Sequence, residues 1–283
     1  MNATTNALRA GLRGGWTEFK QTLTSGQDIF YYLFLPVISI AAIALMGDAT
    51  FRDSHLSLRS LALPSVFAVI ILSSGVTTVA TWLTLDRDDG TLLRMKATPG
   101  GLIGYLVGKT VFIVATAAVS MVLVLAPGLI LFDGFVVGSI GVWVGVVAVF
   151  VLGMLATVPV GAIVGSLGDN PKSVNVVLIP VIASVAISGI FYPLTALPGW
   201  LQVIGQVLPT YWIGLGMRSA LLPDSFATVE IGGTWRHLEM VGVLGSWAVV
   251  GFLVAPIVLR RMARRESGAN LTQRRLKVMQ RIQ

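Results

Sequence analysis

Few residues in this chain could do chemistry, and the densest group is Asp86-Arg87-Asp88-Asp89-Gly90-Thr91-Leu92-Leu93-Arg94-Met95-Lys96-Ala97-Thr98-Pro99. Acidic residues at its start and Arg94 and Lys96 near its end suit the two poles of one small helix that Pro99 stops. Leu92, Leu93 and Met95 give that helix an apolar side, which a solvated turn with no partner would not need. The plainer reading is a charged loop that fixes topology. A second group, Ser74, Thr77, Thr78 and Thr81, falls at i, i+3, i+4 and i+7 and makes a narrow hydroxyl stripe on a helix. The stripe either lines a path for hydrophobic or amphipathic cargo or packs one helix on another, as small polar residues do in a bilayer.

Catalysis has little to work with. The chain has no cysteine, which excludes disulfides, thiol catalysis and cysteine metal sites. Its two histidines, His55 and His237, stand singly, and neither a His-Glu-x-x-His nor a Gly-x-Ser-x-Gly pattern is present. No catalytic residue and no metal ligand is therefore expected. Gly108-Lys109-Thr110 shares the end of the phosphate-cradling Gly-x-x-x-x-Gly-Lys-Ser/Thr pattern, but position 103 is Ile103 where Gly is needed. The chain is not expected to bind or hydrolyse ATP, and no cofactor is expected on it.

The elements that carry these groups belong in a membrane. Of 283 residues 55% are hydrophobic and 12% charged, against roughly 25% charged in a soluble domain. The apolar residues form repeated stretches of the length a bilayer demands, roughly 20 residues each. Single stretches lie between Asp28 and Asp48, Arg59 and Asp86, and Lys109 and Asp133, and then over residues 134–168 and 240–259. The stretch over 173–217 is too long for one crossing and is divided near Pro193. The expected fold is an all-α integral membrane protein with six spans over residues 29–259. Pro36, Pro64, Pro127, Pro159, Pro180 and Pro256 predict a kink in each span. The spacing of Gly100, Gly104 and Gly108, of Gly141 and Gly145, and of Gly161 and Gly165 allows close helix approach.

A net charge of +7 could attract nucleic acid, but its distribution argues against such a partner. Eight of the 20 Lys and Arg residues lie between Arg260 and Arg281, directly after an apolar run, and read as an anchor at anionic lipid over a basic tail, 260–283. With both termini cytoplasmic, only Arg52, Arg59, Arg218 and Arg236 fall outside, the orientation that the positive-inside bias selects. No signal peptide is expected, since no short apolar core is followed by a small-residue cleavage site. Residues 1–28 carry Leu8, Leu12, Trp16, Phe19 and Leu23 at helical spacing and suit an amphipathic helix in the cytoplasmic interface; a packed soluble helix is the alternative. The run with Leu197-Pro198-Gly199-Trp200-Leu201 and Leu208-Pro209-Thr210-Tyr211-Trp212 is too apolar for an exposed loop. Over 193–222 it reads as two short helices, joined by prolines, that dip back into the outer leaflet.

Two phrases resemble a known family, the membrane subunits of type-2 ATP-binding-cassette exporters. The first is Asp86-Arg87, Gly90-Thr91-Leu92, Arg94, Thr98-Pro99 and Gly108-Lys109. The second is Ser188-Gly189, Phe191, Pro193, Pro198-Gly199-Trp200-Leu201, Pro209, Tyr211-Trp212 and Arg218. Asp where Glu is common in the first phrase, and the long basic tail, depart from the pattern. The resemblance implies an export permease in the cell (plasma or inner) membrane, moving a drug, antibiotic, lipid or glycolipid. It implies two partners, a separate ATP-binding-cassette ATPase that carries ATP and Mg and a second permease, identical or related. Residues 86–99 would be a coupling helix seated on the ATPase, with Asp86, Arg87, Asp88, Asp89, Gly90, Thr91, Leu92, Arg94 and Pro99 at the contact. Phe191, Pro193, Pro198, Trp200, Pro209, Tyr211 and Trp212 would form an external gate, or the aromatic residues would only anchor it at the interface. An ion-coupled secondary transporter is the rival. Every Asp and Glu falls at or outside a span boundary, which leaves it no carboxylate near mid-membrane, although Na⁺ held by backbone carbonyls stays open.

Overall fold

The computed structural model describes residues 3–45, 58–98, 100–132, 134–167 and 171–265. His55, Pro99 and the tail beyond Arg265 lie outside them. Among the described residues all regular structure is helical, and no strand occurs. The order is α1 (Ala3–Thr22), α2 (Gly26–Leu45), α3 (Leu58–Leu72), a π-helical turn (Ser73–Thr78), α4 (Val79–Asp88), α5 (Thr91–Lys96), α6 (Gly101–Leu131), α7 (Ile140–Leu167), α8 (Pro171–Ile187), α9 (Gly199–Val207), α10 (Pro209–Leu221) and α11 (His237–Arg265).

Four helices are long and apolar enough to cross a membrane: Arg59–Asp88, Gly101–Leu131, Ile140–Leu167 and His237–Met262. The other two expected spans correspond to shorter elements, α2, whose apolar part is Tyr32–Leu45, and α8. The expected division near Pro193 also separates real elements: α8 ends at Ile187, and α9 and α10 are two short helices meeting at Leu208. Pro209 opens α10, a position where its fixed φ helps and its missing N–H costs nothing.

Three local features differ from the sequence expectations, each for a physical reason. Residues 86–99 are not one helix. Asp86 and Asp88 complete α4, and Gly90, at φ +82°, reverses the chain before α5, a conformation only glycine adopts without strain. Lys109 does not open the third span but lies two turns inside it, because α6 already starts at Gly101 after Gly100 at φ +72°. The second span is not uniformly α. Ser-Ser-Gly-Val-Thr-Thr at 73–78 contains no strong helix former, and there the helix widens to π winding.

The core gathers around α7, which touches α3, the π turn, α4, α8, α10 and α11. Every residue from Pro209 to Arg218 of α10 is buried, and Trp212 and Tyr211 are the largest fully buried side chains. Gly161 and Gly165 of α7 meet the backbone of Gly75, Val76 and Ala80 with no room for a Cβ, so the small-residue spacing serves this crossing.

Candidate functional site

The charged segment divides into an inner and an outer side. Asp86, Arg87 and Gly90 are buried, and Leu92 packs with Leu83, Leu259 and Met262. Of the apolar side foreseen for a partner, Leu92 is thus used by the chain's own helices α4 and α11, while Leu93 and Met95 are half-buried. Asp89 and Arg94 are exposed, and Asp88 and Thr91 half-buried. Asp89 Oδ1 accepts from the Thr91 N–H at 2.8 Å, satisfying a donor that the first turn of α5 leaves open. Arg94 Nη2 donates to Thr91 Oγ1 at 3.0 Å, and Thr98 Oγ1 to the Met95 carbonyl at 2.9 Å. The outward display is therefore small, polar and internally braced.

Behind it lies a polar corner that the sequence reading missed. Lys109 Nζ is 2.6 Å from Glu18 of α1 and 3.3 Å from Asp86 of α4, and stands 4.4 Å from the centre of the Trp82 ring. Tyr105 Oη donates to Asp86 at 2.7 Å. One ammonium group thus ties three helices together, its three donors and its charge matched by two carboxylates and an aromatic face. The signal available in the sequence was helical register: Tyr105 and Lys109 are four residues apart on one face of α6.

The same corner depends on glycine. Gly11 and Gly15 of α1 lie against the backbone of Gly104 and Gly108 of α6, with no space for a Cβ at either α1 position. Carbonyl oxygens of Gly104 and Gly108 lie where side chains at Gly11 and Gly15 would begin, a close crossing that small residues permit. The spacing of Gly104 and Gly108 is legible in the sequence, whereas nothing in periodicity pairs it with Gly11 and Gly15. Leu8, Leu12 and Trp16 of α1 point away from the protein, with Leu12 51% and Trp16 50% exposed, while Phe19 is buried. A cavity of about 700 Å³ lies between α1, α5 and α6, lined by Gly14, Glu18, Thr91, Tyr105 and Lys109 among others. Gly15→Leu is expected to lift α1 off α6, seen as faster proteolysis within the first 25 residues. Gly14→Ala, whose Cβ meets nothing within 4 Å, should leave the digestion pattern unchanged. Equal behaviour of the two variants would refute the crossing.

The four hydroxyl residues share one accessible side of the second long helix. Gly75, Val76, Val79 and Ala80 are buried, whereas Ser74, Thr77 and Thr78 are half-buried and Thr81 exposed. Three of the four lie in or at the edge of the π turn's wide winding, which the sequence spacing did not foresee. Elsewhere threonine hydroxyls bond back to their own helix, as Thr84, Thr110, Thr116 and Thr157 do. Among the described residues, Ser74, Thr77, Thr78 and Thr81 close no such bond, so their hydroxyls stay available.

At the other end of the helices, α9, α10 and the turns around them form a cap. Tyr211, Trp212, Pro193 and Pro209 are buried; Pro198, Phe191 and Trp200 are exposed, Trp200 by 66%. Tyr211 and Trp212 are thus core, and only Trp200 is placed where an interfacial anchor could sit. Arg218 and Glu230 form an ion pair at 2.7 Å with side chains 2% and 1% exposed. Arg218 Nη1 also donates to the Ile190 carbonyl at 3.2 Å, and Ser65 of α3 donates to the same oxygen. Arg236, at φ +48°, reaches Gln206 Oε1 at 2.7 Å and lies over the Trp212 ring at 4.9 Å.

Among models of known protein families, the one described as ABC-2 family transporter protein matches residues 30–259. No curated protein matches the chain. The matched region contains α5, the polar side chains of α4 and α6, the hydroxyl residues and the cap, and leaves α1 outside.

Proposed function

Because the chain belongs to the ABC-2 family of transporter proteins, we propose that it is the permease subunit of an ATP-driven exporter whose ATPase is a separate polypeptide. The observation that carries this reading is the build of α5: a short, braced element with Asp89, Thr91 and Arg94 turned outward and its inner side fixed to α4 and α11. Such an element suits a docking lever. A push on it moves α4 directly, and through Asp86 and Lys109 it moves α6 and α1 as well.

In this reading α2 and α8 complete six spans despite their length, and the polar corner and both termini face the cytoplasm of a cell that holds the protein in its plasma or inner membrane. The exposed apolar side of α1 lies in the interface, and the cap closes the outer end with α9 in the outer leaflet. The cargo is hydrophobic or amphipathic, a drug, antibiotic, lipid or glycolipid, because the accessible hydroxyl side offers hydrogen bonds and no charge. A second permease, a copy or a relative, faces that side. ATP and Mg belong to the ATPase.

Arg94→Glu inverts the one exposed positive charge of α5 whose side chain is described. Co-purification of the partner ATPase should fall about tenfold with no change in melting temperature, since surface charges away from packing cost the fold little. ATP hydrolysis by the purified permease alone would defeat the proposal. So would transport that survives ATP depletion and follows an imposed ion gradient.

A further inference from the structure

The helix from Leu58 to Asp88 is held firmly at both ends. Near its start, Ser65 donates to the Ile190 carbonyl, which Arg218 of the Arg218–Glu230 pair also holds. Near its finish, Asp86 is held by Lys109 and Tyr105. A helix tied in this way cannot rotate or slide as one rod without breaking one of two sets of buried polar contacts. Between the two anchors, and only there among its described residues, the winding is π.

A π turn is an α-helix carrying one surplus residue. Moving that surplus along the helix turns the residues it passes by about 100° and shifts them by about 1.5 Å, and it leaves both flanks in their own register. At its seat, the inner side of the turn rests on Gly161 of α7, whose missing side chain lets the Gly75 and Val76 carbonyls close in, and Gly75 in turn leaves room for the Thr157 side chain. Its outer side carries Ser74, Thr77 and Thr78, with Thr81 one step beyond, and none of these hydroxyls is bonded to another described residue.

We infer that the Ser73–Thr78 π turn is the joint through which motion of α5 and α4 turns the hydroxyl side of the helix while α3 stays fixed to the cap. The inference rests on the permease reading and adds to it the place where the helix gives way. Thr81 and Thr77 therefore change surroundings during the cycle, whereas Val69, on the cap side of the turn, does not.

The chain has no cysteine, so single cysteines report without background. Thr77→Cys, Thr81→Cys, Val69→Cys and Ala97→Cys would each be reacted with a small methanethiosulfonate reagent in the complex with its ATPase, nucleotide-free and trapped with Mg-ATP and vanadate. Reaction rates at positions 77 and 81 should differ between the two states by about fivefold or more, and the rate at 69 should not, as a population shift at the joint requires. Deleting Ser73 removes the surplus residue. It should abolish the change at position 81 while the complex still assembles and hydrolyses ATP. If Ala97→Cys, beside α5, responds to nucleotide and positions 77 and 81 do not, the joint is refuted and the permease reading stands. The joint is equally refuted if the Ser73 deletion still transmits the change. If no position responds and no ATPase assembles, the permease reading itself falls. Should the deletion fail to fold, the comparison of positions 69, 77 and 81 in the full-length chain decides the matter.

Discussion

Arg218→Met should destabilise the folded chain by about 3–5 kcal/mol, because it leaves Glu230 charged and buried with no counter-ion. The loss would be read as a lower midpoint of thermal unfolding in detergent. Glu230→Leu together with Arg218→Met should recover most of it, since a buried ion pair replaced by apolar residues of similar size costs little or even stabilises. The Ile190 carbonyl would still accept from Ser65 in the double variant. If the double variant is as unstable as the single one, the pair is not what holds the cap, and the contacts of Arg218 with the backbone carry the burden instead.

Lys109→Met should cost about 2–4 kcal/mol, somewhat less, because Glu18 is partly in water and only Asp86 is left deep in the protein. Its larger effect should be on assembly and coupling: α1 loses its ionic tie, and the end of α4 no longer moves with α6. Glu18→Gln keeps the hydrogen-bonding shape and should cost no more than about 1 kcal/mol, as half-exposed pairs do. Lys109→Met should thus speed proteolysis of α1 in the complex, while Glu18→Gln speeds it less. A Lys109→Met variant that melts and couples like the unaltered protein would show that the corner is only incidental.

Much of the architecture is legible in the sequence because a bilayer imposes a simple rule. Long uncharged stretches appear as the helices Arg59–Asp88, Gly101–Leu131, Ile140–Leu167 and His237–Met262, and apolar proline-rich sequence appears as the short pair α9 and α10. What periodicity does not reveal is which face meets which. Leu92 looks like part of a docking surface but lies against Leu83 and Met262. Lys109 reads as a span boundary flank, yet it is the meeting point of three helices, since charge alone does not tell whether carboxylates 23 and 91 residues away will be beside it. The hydroxyl stripe holds as one side of a helix, but the seating of the π turn beneath it against Gly161 of α7 is a tertiary fact. The cap shows the same limit: Trp200, Tyr211 and Trp212 are alike in type, and packing alone puts two inside and one out.

The glycine crossing of α1 on α6 also has a consequence for how the protein is made. Gly11 leaves the ribosome well before its partner Gly104, a delay of roughly 5–20 s at about 5–20 residues per second. During that interval α1 has no protein groove to enter, and its crossing face is smooth backbone that offers nothing for a helix to grip. Leu8, Leu12 and Trp16, still exposed in the finished fold, can hold it on the membrane surface meanwhile. Seating of α1 therefore lags behind its synthesis: Lys109 can close over Glu18 only after α6 has been made.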